Sequence, residues 1–310
     1  MENQLLPEGF KDSLPETAYK EFEISAEFIK IMKKRKYMLV RPTLLEFEKS
    51  MFFLTKGSMK KNSFRVLDPL SQKVMAIRSD ITTQIARISC GALKFQARPL
   101  KVMYFGDILR VNNSELKTAR QSTQLGGEII GVKNENDEIE IIEIISEILK
   151  KLKINNYKIS LSMPTILKSV SLDFNLNKEQ ELYLKTCYDN KNLMDLKNIS
   201  TEIHDISCKL LNSIGPLDKI YQFLISENFP SKTQCEINKF LTSLHNFKNK
   251  LSKENFIVDT VEIDKSGYHN GLMFKFYSEK LTELFSGGIY EVNKENCIGF
   301  SALAENLINN

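Results

Sequence analysis

Strand-like text in this chain falls into two blocks with a long helical stretch between them, and that arrangement narrows the fold more than any other feature. The first block holds apolar or alternating runs at residues 38–41, 44–47, 64–68, 73–77, 102–109, 123–131 and 157–163, each of strand length. The second holds runs at 256–263, 272–277, 284–290 and 297–300. Links inside the blocks read as short: Pro69-Leu70-Ser71-Gln72 as a hairpin turn, Pro42 as the break of an edge strand or extended segment, and the polar run 112–118 as a loop between two long strands. Such links favour antiparallel pairs, because a parallel pair needs a long crossover. The expected fold class is therefore α+β: a mainly antiparallel sheet flanked by helices, with a helical insertion. A doubly wound nucleotide fold is not expected, since Gly126-Gly127 and Gly287-Gly288 lack both the phosphate-loop lysine and the Rossmann spacing.

The helices follow from period and caps. Pro15 stands near a helix start, Ala18, Phe22, Ile29 and Met32 recur at helical spacing, and Lys30, Lys33, Lys34 and Arg35 gather toward the far end. Ser79 or Asp80 caps a helix through Gln84, Ile85, Ile88 and Leu93. Asn136-Asp137-Glu138 opens another, with Ile139, Ile142, Ile145, Ile148, Leu149 and Leu152 on its apolar side. From 167 to 251 strands disappear, and periods such as Leu182, Leu184, Tyr188 and Phe240, Leu244, Phe247 dominate. Residues 301–308 read as a closing helix. The expected organisation is a core at 1–166 and 256–310 around a helical insertion at 167–255.

Charge and cysteine content exclude several functions. The balance of 43 basic and 39 acidic residues, a net +4, is too weak for the electrostatic footprint of a nucleic-acid binder. The N-terminus MENQLLPEGF offers neither a basic nor an apolar export region, and no stretch approaches a membrane span. Five scattered cysteines with no C-x-x-C pair argue against a disulfide framework and against zinc. A cytoplasmic location is expected. Arginine is confined to Arg35, Arg41, Arg65, Arg78, Arg87, Arg98, Arg110 and Arg120. Its planar fork grips carboxylates and phosphates as lysine cannot, so a polar site is expected within the segment 78–120.

Six segments then carry a resemblance. They are Leu6-Pro7-Glu8-Gly9-Phe10-Lys11-Asp12; Pro42; the run from Ala76 to Arg87; the run from Tyr104 to Arg110 followed by that from Ala119 to Gly131; the run from Gly267 to Tyr277; and Ser286-Gly287-Gly288-Ile289-Tyr290 with the run from Ile298 to Leu307. In this order they resemble the class II aminoacyl-tRNA synthetases and, among them, the histidyl enzyme. The resemblance implies a class II synthetase-like core, with Pro42 in the dimer-forming first motif and Arg110 as the central arginine of the second.

The departures from that family fall on its ATP-handling positions. Asn306 stands for the third-motif arginine, Asp264 for the arginine that opens the histidyl signature, Asn112 for the acid that reads adenine, and Ile289 for the arginine of the glycine-rich loop. Adenylation needs cations where phosphate and carboxylate charge accumulates, so an anion at 264 opposes it. The family's C-terminal anticodon-binding domain has no counterpart before residue 310. Positions matching the amino-acid pocket keep polar side chains: Asp80, Thr82, Arg110, Gln124, Glu128, Tyr268 and Tyr290. In the implied site Glu128, Asp80 and Gln124 hold the ammonium of histidine, Arg110 its carboxylate, and Tyr268 and Tyr290 sandwich the imidazole. His269 replaces a family tyrosine. Gln124 and Glu128, at i and i+4, share one strand face.

A synthetase core that has lost its ATP cations and keeps an amino-acid pocket resembles the regulatory-subunit family of ATP phosphoribosyltransferase. That resemblance implies a non-catalytic chain, without cofactor or metal. It implies a short-form catalytic subunit as partner, in a hetero-octamer that condenses ATP with phosphoribosyl pyrophosphate in the first step of histidine biosynthesis. It also implies a dimer through the synthetase-like core, L-histidine as feedback effector, and no tRNA. Two alternatives stay open: a free-standing enzyme that adenylates histidine, and a translational sensor of amino acids or uncharged tRNA.

Overall fold

The computed structural model describes residues 6–52, 60, 62–111, 119–132, 136–192, 194–251, 254–264 and 267–309. They form two compact units, one of Met1–Lys133, Ile141–Asn155 and Val292–Asn310, the other of Asn134–Glu140 and Asn156–Glu291. In chain order the first unit supplies α1 (Pro15–Lys34), β1 (Met38–Leu39), β2 (Leu45–Phe47), α2 (Glu48–Met51), β3 (Arg65–Leu67), β4 (Val74–Ile77), α3 (Thr82–Cys90), β5 (Leu100–Leu109) and β6 (Gln121–Ile130). After α4 (Asn136–Lys151) the second unit supplies β7 (Tyr157–Ser162), α5 (Thr165–Asp173), α6 (Lys178–Asp189), a 3-10 turn at Met194–Asn198, α7 (Thr201–Asn212), β8 (Ile214–Pro216), α8 (Leu217–Ser226), α9 (Ser231–Lys250), β9 (Phe256–Asp259), β10 (His269–Ser278) and β11 (Glu283–Val292). The chain returns to the first unit with β12 (Glu295–Leu303) and α10 (Ala304–Ile308).

In the first unit β5 and β6 pair antiparallel over ten residues each, from Leu100 opposite Ile130 to Leu109 opposite Gln121. β12 continues antiparallel on the far side of β6, and β1 adds a short parallel strand beside β5. A separate small sheet runs β2, β4, β3, the last two forming the hairpin expected around Pro69. In the second unit β10 lies between β11 and β7, antiparallel to both; β9 pairs parallel with β7 and antiparallel with β8. The mainly antiparallel α+β expectation is met. The two parallel pairs, β1 with β5 and β7 with β9, join strands far apart in sequence.

Four details depart from expectation. The buried stripe of α1 is Ile24, Phe28, Ile31 and Met32, while Phe22 is 73% exposed. Phe22 lies about 120° around the helix from Phe28, off the core side. Residues 301–303 are strand rather than helix, because Ser301, Ala302 and Leu303 stay in register with Gly126, Leu125 and Gln124. α3 ends at Cys90, short of Leu93. Within the expected helical insertion, β8 is a strand drawn onto β9.

The helices are held by their ends as well as their faces. Asp173, at the end of α5, accepts from the backbone N of Lys232 (3.0 Å) and Thr233 (2.8 Å), satisfying the first turn of α9. Asn177 and Gln180 form a capping box on α6. On α9, Phe240, Leu244 and Phe247 are buried, and Phe247 stacks on Phe256 with centroids 5.5 Å apart. Among the described residues no helix is long and apolar enough to cross a membrane.

Candidate functional site

Side chains alternate across a strand, so Gln124 and Glu128 of β6 fall on one face, and each is only 1% exposed. Burial obliges each polar atom to find a partner. Gln124 answers with both ends of its amide: Oε1 accepts from the backbone N of Ile81 at 2.9 Å, and Nε2 donates to Asp80 Oδ2 at 3.1 Å. Asp80 Oδ1 accepts from the backbone N of Thr82 at 2.8 Å; the N-cap itself is Ile81, so neither Ser79 nor Asp80 caps α3 as the sequence suggests, and Asp80 instead ties down its first residue from one position earlier. The Thr82 hydroxyl lies 2.8 Å from that of Tyr104, which donates a longer bond, 3.4 Å, to Glu128 Oε1. Asp80, Thr82, Gln124 and Glu128 are thus brought into one cluster.

Tyr104 was not among the expected residues. The signal for it lies in the pairing of β5 with β6, where Tyr104 stands opposite Gly126. A Cβ on Gly126 would fall 2.3 Å from the Tyr104 hydroxyl oxygen, so the glycine leaves the space that the end of the tyrosine side chain occupies. Arg110 follows β5. Its Nε donates to Ser79 O at 3.1 Å, and its two terminal nitrogens bond to no described residue. The guanidinium is therefore anchored at Ser79, next to Asp80, with its fork unbonded among the described residues.

Tyr268 and Tyr290, the other expected residues, lie in the second unit, where their rings stack with centroids 4.5 Å apart. Beside them Asp264 Oδ2 accepts from the backbone N of Tyr268 (2.9 Å), the backbone N of His269 (2.8 Å) and His269 Nδ1 (3.1 Å). A cavity of about 470 Å³ is lined there by Asp189, Glu262, Asp264, His269, Lys275 and Ser286, among others. Burial works against the Lys275 ammonium, but Glu262, 2.6 Å away, holds its pKa above the ordinary value. Three carboxylates against one lysine make this a poor seat for phosphate. Ile289 packs its side chain over Gly271, and Asn306 lies on α10. Asn112 lies outside the described residues.

A second cavity, of about 520 Å³ in the first unit, is lined by Lys11, Asp12, Glu21, Asp107, Ser122 and Glu305 among others. Burial, with Glu305 and Asp107 nearby, pushes the Glu21 carboxyl above its usual range despite a hydrogen bond from Ser13. Among the described residues no group of three or more His, Cys, Asp or Glu side chains is placed to hold a metal ion. The five cysteines are free thiols, and burial pushes that of Cys297 up to about 12.

The sequence profile of histidyl-tRNA synthetase matches residues 9–307. The chain belongs to the histidyl-tRNA synthetase family. Among relatives of this synthetase-like chain, the ATP phosphoribosyltransferase regulatory subunit of Paramagnetospirillum magneticum is 30% identical over 288 residues, 93% of this chain and 76% of its own. A solved ATP phosphoribosyltransferase regulatory subunit/histidyl-tRNA synthetase of Bacillus halodurans superposes with a TM-score of 0.84 at 20% identity, covering 99% of this chain and 83% of that one. A chain of the ATP phosphoribosyl transferase complex of Thermotoga maritima superposes at 0.69 with 17% identity, over 91% and 96% of the two chains. The last two likenesses speak to the synthetase fold.

Proposed function

We propose that this chain is a non-catalytic regulatory subunit of ATP phosphoribosyltransferase, acting on a short-form catalytic partner and sensing L-histidine. The observation that carries the reading is Asp264. Where the resemblance expects an arginine for the activated carboxylate and phosphate, the chain has an anion whose Oδ2 accepts from the backbone N of Tyr268 and from the backbone N and ring Nδ1 of His269. Adenylation loses its electrostatic support there, and in both polar cavities the carboxylates outnumber the single lysine.

The amino-acid end is built differently. Asp80, Gln124 and Glu128 offer acceptors for an ammonium, and Arg110 offers an open fork for a carboxylate. The resemblance adds the Tyr268 and Tyr290 rings to this reading. Histidine that binds one quaternary state better than another shifts the complex toward that state, and by linkage the substrates of the partner bind less well. The regulatory relative and the Thermotoga complex support a catalytic partner. A dimer through the core, assembled into a hetero-octamer, accounts for exposed apolar residues on α1 such as Tyr19 and Phe22.

Mixing the purified chain with a short phosphoribosyltransferase that lacks its own regulatory domain tests the proposal. Stimulated phosphoribosyl transfer, suppressed by added histidine, is the expected outcome; no stimulation refutes it. Robust histidine-dependent ATP–pyrophosphate exchange by the chain alone would establish the adenylating alternative instead.

A further inference from the structure

Glu128 and Gly299 face each other directly across β6 and β12. Opposed side chains on neighbouring strands usually stand side by side. Here the glutamate folds across the partner strand. A Cβ built on Gly299 would fall 1.5 Å from Glu128 Oε2, 2.3 Å from its carboxyl carbon and 2.8 Å from Oε1, and these are the three nearest atoms. The carboxylate occupies the space that any other residue at 299 would fill. Nothing else crowds that point as closely, and the backbone of Gly299 is not in the left-handed region, so what a side chain there would move is the Glu128 carboxylate rather than the backbone.

The location matters because Glu128 is almost fully buried and its other oxygen, Oε1, receives the Tyr104 hydroxyl. A side chain at 299 would drive the carboxylate off β12 and strain that link, which leads on through Tyr104 to Thr82. Gly126 plays a similar part beneath Tyr104, but a Cβ there would also meet the backbone oxygen of Phe300 at 2.6 Å. Its substitution would disturb the sheet as well as the side chain. Gly299 is the cleaner control point.

We infer that Gly299 is a positioning residue of the amino-acid cluster: it sets where the Glu128 carboxylate sits and so whether the cluster can hold histidine. The part concerning histidine rests on the function proposed above. The displacement of Glu128 does not.

The experiment is a double-mutant cycle on the full-length chain, with Gly299→Ala, Glu128→Ala and the two combined, read by L-histidine titration calorimetry and by thermal unfolding. If Gly299 acts through Glu128, G299A weakens histidine binding about tenfold or more, the loss of roughly one charge-assisted hydrogen bond. The combined variant then binds no worse than E128A alone, because the clash partner is gone. G299A also melts below wild type, and adding E128A recovers most of that loss. Multiplying losses in affinity, or a melting deficit of G299A that persists in the E128A background, would overturn the inference. Coupling in the melting data with no histidine binding by wild type would support the positioning of Glu128 and refute the histidine reading.

Discussion

His269 donates to Asp264 twice, from its backbone N at 2.8 Å and from ring Nδ1 at 3.1 Å, and both bonds end on the same carboxylate oxygen. With an ionised carboxylate as acceptor, ring Nδ1 is the donor of the second bond. The anion at 264 is thus a structural tie for the start of β10 as well as a missing cation.

Removing the tie has a measurable cost. Asp264→Ala strands two backbone N–H groups and a ring N–H in a largely buried place, so urea denaturation is expected to show a loss of about 2 kcal/mol. Asp264→Asn, which keeps an acceptor oxygen, should lose less. Equal stability of the alanine variant and wild type would show that the tie contributes nothing.

Arg110 invites a ligand-specific test. With only its Nε engaged among the described residues, on Ser79 O, Arg110→Met should weaken L-histidine binding about tenfold or more while leaving histamine, which lacks the carboxylate, almost unaffected. Titration of both ligands against both proteins decides the matter. A parallel loss for histamine would move the carboxylate partner elsewhere.

Cys297 makes an alkaline prediction. Burial, then the nearby Glu128 and Glu295, raise its thiol from 9.0 to about 12 in the folded protein. Above pH 9 the unfolded chain gives up this proton and the folded chain does not, so the folded state binds more protons and loses stability as pH rises toward 12. One thiol contributes a slope of at most about 1.4 kcal/mol per pH unit. Denaturant midpoints from pH 8 to 11 should fall more steeply for wild type than for Cys297→Ala; identical slopes would contradict the assignment.

The sheet was readable from the sequence because its strands are long, apolar and bounded by turn residues. β5, β6, β7 and β11 all fall close to where alternation and composition put them. The apolar face of α1 was not readable in the same way. Phe22 and Phe28 weigh equally in a hydrophobic count, and only the packed structure distinguishes the ring that is fully buried from the one in solvent. Among site residues, the i and i+4 spacing put Gln124 and Glu128 on one face. Tyr104 escaped notice because what marks it is the glycine opposite on another strand, a relation that appears only once register is known. Asp264 was legible as a charge reversal, whereas its three hydrogen bonds depend on how the chain turns back at 268 and 269.

The parallel pairing of β7 with β9 has a consequence for how the second unit comes together. Residues 163–255 intervene between strands that end up side by side. Bringing Ile159 next to Phe256 therefore closes a loop of nearly a hundred residues, at an entropic cost of about 4 kcal/mol before any contact between the strands repays it. Hydrogen bonds within each of α5 to α9 are local by comparison, so the individual helices are expected to form before this strand pair closes, which makes the β7–β9 edge the slow step to look for in refolding of the second unit.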